Sequence, residues 1–181
     1  MKSSLESWGG ATSSTPTHLH TNVLLPPHGD TLVLGVGNPF CGDDGTGNVT
    51  VEMLSRCNLP EGVWIEDAGT PGFGLLNFFE GWKRVIIVDA IQMGEKPGTW
   101  KRYLPEDVTF YGEQDHLSLH AQDLVDGLTL AQSLGKLPEQ IIIFGIEPMN
   151  IDVGSALSPQ IREALPDLIE NILSELWNGK I

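Results

Sequence analysis

Cysteine is scarce in this chain, which carries only Cys41 and Cys57. Two are too few for a disulfide framework and fit an intracellular protein. Basic residues are scarce as well: 10 Lys and Arg stand against 24 Asp and Glu, giving a formal net charge of −14. Affinity for phosphate backbones comes mainly from Lys and Arg, so nucleic acid is not an expected partner. The same charge favours cations and basic protein surfaces. No apolar run reaches the ~18 residues of a membrane span. The N-terminus also lacks the charged region and apolar block of a secretory signal. A soluble, cytoplasmic protein is therefore expected, and the formal glycosylation acceptor Asn48-Val49-Thr50 is read as carrying no sugar.

Two familiar catalytic signatures are also missing. No Gly-x-Ser-x-Gly follows a strand-like run, which argues against a serine hydrolase of the α/β type. No compact ligand motif such as His-Glu-x-x-His is present either.

What is present begins at Thr31. The 181 residues suit one domain with a substantial core. Residues 1–30 are rich in Ser, Thr, Gly, Pro and His without periodicity and read as a flexible extension; its His18, His20 and His28 read as solvated tail residues. Residues 31–181 alternate strand and helix patterns, which predicts an α/β three-layer sandwich: a mostly parallel, twisted sheet of about five strands with helices on both faces. Strands are expected at Leu32–Val36, Gly62–Glu66, Val85–Val88, Gly98–Leu104 and Ile141–Gly145. The fourth follows a Pro-Gly turn with no room for a crossover helix, so it should run antiparallel at an edge. Helices are expected over about 47–56, 73–82 and 120–134, and after the Ser158-Pro159 start signal, with Pro166 kinking or interrupting the last one.

The chain is organised around Thr31-Leu-Val-Leu-Gly-Val-Gly-Asn-Pro-Phe-Cys-Gly-Asp-Asp-Gly45, an apolar run that breaks into glycines and then presents two carboxylates. Open α/β sheets bind ligands at the carboxyl ends of their strands, which is where this pair falls. One of the two, Asp43, could simply cap the following helix. A dinucleotide loop is disfavoured, because Phe40 stands where the third glycine belongs and two acids would face a pyrophosphate. Asp44 after the first strand, Asp89 after the third, and His120 opening a helix should converge on one edge of the sheet. Two carboxylates and an imidazole leave metal positions open, as a metal-assisted reaction requires. Cys41, Ser118 and Thr70 read as spectator or loop residues.

Five ordered motifs then resemble one family, the hydrogenase maturation endopeptidases. They are Gly35-x-Gly37-Asn38 with Asp43-Asp44-Gly45-x-Gly47; Asp67-x-Gly69-Thr70 ahead of Gly72 and Leu75-Leu76; Asp89-Ala90; Ser118-x-His120-x-x-x-Leu124-x-Asp126; and Gly145-x-Glu147-Pro148 with Leu157-Ser158. The resemblance implies an endopeptidase that removes the C-terminal extension from the precursor of a [NiFe]-hydrogenase large subunit. It implies that Asp44, Asp89 and His120 are the metal-contacting and catalytic residues, with Gly37, Asn38, Gly69 and Thr70 shaping the loops. His116 is a rival histidine, but only His120 keeps the motif in step. The resemblance further implies that nickel arrives with the client, so no tightly bound metal is expected in the isolated protein, which should be a monomer when free. The competing readings are a non-catalytic, chaperone-like module that inspects nickel loading in the same client, and a nucleotide-binding α/β protein.

Overall fold

The computed structural model of the chain describes residues 29–107 and 119–179, the side chains of 119–122 excepted. The stretch that contains His18, His20 and His28, and the segment that contains His116 and Ser118, lie outside the described residues.

Five strands form one sheet: β1 (Thr31–Val36), β2 (Val63–Gly69), β3 (Arg84–Ala90), β4 (Trp100–Tyr103) and β5 (Gln140–Ile146), in the spatial order β2-β1-β3-β5-β4. β1 pairs in parallel with β2 and β3, and β3 with β5. β4 runs antiparallel along β5 at the edge, as its Pro-Gly entry predicts. The α-helices whose bounds lie among the described residues are α1 (Thr46–Leu54), α2 (Leu119–Ser133) and α3 (Pro159–Asn178).

The two-residue period of the strands divides the core. Ile86 and Val88 of β3 pack with Val51 and Leu54 of α1 and with Ile161, Leu165, Leu168 and Ile172 of α3. Val85 and Ile87 face the other layer, with Leu75, Phe79 and the Leu124, Leu128 and Ala131 stripe of α2. Each such fully buried aliphatic side chain contributes about 1.5–3 kcal/mol. β3 is buried along its whole length and so reads as a continuous apolar run rather than an alternating one.

Two expectations change. The predicted helix over 73–82 is instead a 3₁₀ run, Gly72–Phe78. Its Gly72, Gly74 and Asn77 are poor helix formers, and it is anchored to the core mainly through Leu75 and Phe79. The last helix is not interrupted by Pro166. That residue sits on the exposed side, where the carbonyl it leaves unpaired at Arg162 can meet water. Ser158 does cap this helix, its hydroxyl accepting from the Ile161 N–H at 3.4 Å.

Candidate active site

The strand order reverses direction between β1 and β3. The connection out of β1 leads to β2 on one side, while β3 continues to β5 on the other. Such a switch point leaves a crevice beyond the carboxyl ends of the two central strands. Asp44 follows β1 and Asp89 is the penultimate residue of β3, so the two carboxylates flank that crevice.

Glycines let the Asp44 turn sit so close. A Cβ on Gly47 would lie 2.2 Å from the Val36 carbonyl oxygen and 2.5 Å from that of Val88, so only a bare Cα allows the first turn of α1 to rest on the ends of both strands. Gly37 has φ of +137°, and a Cβ there would meet the Asp44 carbonyl oxygen at 1.8 Å. The Gly-x-Gly is thus a seat for the acidic turn, not a pyrophosphate cradle. That turn is a 3₁₀ element, Gly42–Gly45, entirely buried. Asp44 Oδ2 accepts the backbone N–H of Asn38 at 2.9 Å, which fixes its orientation.

Asp43 does not cap α1. Its Oδ2 accepts from the N–H groups of Met149 (2.8 Å) and Asn150 (3.0 Å), and its Oδ1 from that of Ser158 (2.6 Å). One buried carboxylate therefore fastens the loop after β5 to the turn after β1. The adjacent acids have separate work, Asp43 structural and Asp44 turned to the crevice.

Asp89 has the opposite environment. It is fully buried, and among the described residues neither carboxylate oxygen has a hydrogen-bond partner. Burial pushes its pKa well above the usual carboxylate range, and the charges of Asp44 and Asp123 push the same way. The Ala90 N–H offsets only part of this, since it lies outside hydrogen-bond geometry. The influence of Asp123 brings the first turns of α2 within electrostatic reach of Asp89. His120 is the second residue of α2, one turn before Leu124. Its backbone thus lies in the first turn of the helix. Among the described residues, no three His, Cys, Asp or Glu side chains gather at metal-ligand spacing; the His120 side chain is outside that set.

Other motif residues build the walls. Asp67 Oδ1 accepts from Asn48 Nδ2 at 2.6 Å and from the Gly69 N–H at 2.9 Å, while the Gly69 carbonyl accepts from the Gly37 N–H at 2.8 Å. Asn48 and Thr50 are both buried, so the formal glycosylation acceptor is part of the interior. Asn48 has no chemical signature of its own in the sequence; its one local signal is its place four residues after Asp44, in the first turn of α1. Glu147 Oε2 accepts from the N–H groups of Met93 (2.5 Å) and Glu95 (3.1 Å), tying down the loop after β3.

Comparison with known proteins agrees with this architecture. The hydrogenase maturation protease family matches residues 49–175, a span that includes Asp89 and His120 and begins just past Asp44. A relative described as hydrogenase expression/formation protein HupD, from Bradyrhizobium diazoefficiens, is 34% identical over 149 residues, covering 80% of this chain and 78% of its own. This chain belongs to the hydrogenase maturation protease family. Among solved structures, the hydrogenase maturating endopeptidase HybD from E. coli superposes with a TM-score of 0.75 at 30% identity, covering 83% of this chain and 94% of that one. The [NiFe] hydrogenase maturation protease HybD from Thermococcus kodakarensis gives 0.65 at 27% identity, covering 81% and 99%. The five-stranded, mostly parallel fold and the assignment as a peptide hydrolase stand on this footing.

Proposed function

We propose that this maturation protease removes the C-terminal extension from the nickel-loaded precursor of a [NiFe]-hydrogenase large subunit, with Asp44, Asp89 and His120 as the residues that meet the nickel and act at the scissile bond. The observation that carries this reading is the buried pair of Asp89 oxygens, without a hydrogen-bond partner among the described residues, beside Asp44. A carboxylate so placed is costly to keep without a cation or a proton, and a crevice at the strand ends gives a cation access. Oxygen and imidazole donors suit divalent nickel, which is cargo of the client rather than a resident of this chain.

Nickel held there would polarise a nearby carbonyl or acidify a water. The chain's own residues do the rest. Asp44, oriented by the Asn38 N–H, is held ready as an acceptor. Burial, and after it the charge of Asp44, shift Asp89 toward its protonated form, which suits it to give up a proton when a cation docks. Two carboxylates whose surroundings differ this much are suited to separate base and acid roles. The protein carries no helix, among the described residues, long and apolar enough to cross a membrane. We place the reaction in the cytoplasm, with the free protease as a monomer.

The test is to mix the protein with nickel-loaded and nickel-free precursor and follow the precursor by mass spectrometry. Loss of a C-terminal fragment from the loaded form alone is expected. Stable docking without any mass loss would favour a nickel-inspecting binding module instead.

A further inference from the structure

The stapled loops beside the crevice expose apolar side chains that the core does not use. Phe40, in the turn after β1, is 74% exposed; Met149 and Val153, in the loop after β5, are 59% and 84% exposed. Scattered exposed apolar residues are ordinary, but these are brought together by construction. The Gly154 N–H donates to the Phe40 carbonyl at 2.7 Å, and the Asp43 N–H to that of Asn150 at 2.8 Å. The Asp43 carboxylate binds the second loop at three further N–H groups. A buried acid thus rigidifies two loops whose large side chains point to solvent, the arrangement of a preorganised contact surface.

We infer that this apolar plateau is where the precursor docks, through an uncharged, apolar segment flanking its nickel site. The inference rests on the proposed processing reaction and names a surface outside its catalytic residues. Three features select this occupant. Asp152 is the one charged residue across 38–42 and 148–155, in a chain of net charge −14, so a basic segment would find its complement elsewhere. The plateau adjoins Asp44 in space: the Asn38 N–H that donates to Asp44 Oδ2 belongs to the residue whose Oδ1 accepts from the Phe40 N–H at 3.0 Å. A client whose nickel reaches Asp44 is thereby brought close to Phe40. Finally, the plateau is already rigid, so seating a partner orders few side chains and little backbone.

The test compares full-length wild type, Phe40→Ser/Val153→Ser, and the control Leu134→Ser on nickel-loaded precursor. Leu134 is 56% exposed just past α2, at the end of the sheet remote from the crevice. The double variant should raise KM about tenfold or more, as loss of a central apolar contact does, with kcat within about twofold because no reacting group is touched; the control should leave both unchanged. An unchanged KM in the double variant overturns the inference, as does a loss confined to kcat. A wild-type dimer that the double variant dissolves would assign the plateau to a second copy and also overturn it. If wild type fails to cut the loaded precursor, the processing reading has failed. Direct binding of that same precursor then decides the docking claim: weaker binding by the double variant supports it, and equal binding sinks it.

Discussion

Replacing Asp89 by Asn should make the protein more stable and inactive at once. The native carboxyl is fully buried, without a hydrogen bond to either oxygen among the described residues, and it feels the charge of Asp44. Its folded pKa is therefore raised, while in the unfolded chain it returns to about 3.9. Below that value both states hold the proton, and Asp89 costs nothing extra. Above it the unfolded chain releases its proton while the folded state retains one, so wild-type stability falls with rising pH until the folded pKa is passed. Each tenfold difference in proton affinity corresponds to about 1.4 kcal/mol. Because burial raises that pKa well above its ordinary value, Asn should raise the Tm at pH 7, each kcal/mol gained being worth about 2–4 °C in a chain of this size. Melting curves at pH 7 and pH 3.5 provide the assay, and the gain should vanish at the lower pH. Processing of loaded precursor should meanwhile drop by at least about 100-fold, the lower end for removing a positioned acid or base. Equal Tm differences at the two pH values would refute the burial account. A stabilised variant that still cuts at the wild-type rate would remove Asp89 from the chemistry.

Three further outcomes follow from the same geometry. Asp43→Ala leaves three backbone N–H groups of the 149–158 loop without their acceptor, and urea unfolding should register a loss of about 3 kcal/mol or more; a loss near 1 kcal/mol would mean a simple helix cap. Arg84 is buried at the far end of β3, where burial lowers its pKa and Glu175 holds it by an ion pair and its backbone carbonyl, so Arg84→Ala should cost about 3–5 kcal/mol while the folded fraction keeps full specific activity, and a specific defect would contradict its purely structural role. His120→Ala should abolish processing where His116→Ala reduces it far less, as a cleavage time course would reveal, and the reverse ranking would transfer the site to His116.

The pattern of apolar runs was enough to place the layers. β3, β5 and the Leu124, Leu128 and Ala131 stripe of α2 announce their burial through composition and period alone, and the short Pro-Gly entry of β4 forces it to an antiparallel edge. Local signals misled where packing overrides them. Apolar residues between Phe73 and Trp82 suggest a helix, yet glycines and Asn77 leave only a 3₁₀ run held by Leu75 and Phe79. In the site, the position of Asp44 and Asp89 at strand ends was legible because the end of an apolar run, in glycines after β1 and in Asp89 itself after Val85–Val88, is a local property. The division of labour between Asp43 and Asp44 was not, since it depends on partners more than a hundred residues away. Asn48 stayed hidden because its partner Asp67 lies on another element, β2, which only the fold brings to α1. Arg84 was invisible as a buried residue because what makes it tolerable inside, the end of α3, is 91 residues distant in sequence.

The most direct test of the central claim uses protease freed of metal by chelation and confirmed so by elemental analysis. It is then offered nickel-loaded and nickel-free precursor side by side. Cargo nickel meeting Asp44, Asp89 and His120 predicts that the metal-free protease trims the loaded precursor and leaves the unloaded one whole. Stoichiometric zinc retained by the protein, together with cleavage of nickel-free precursor, would contradict that account and mark an ordinary metallopeptidase with its own resident ion.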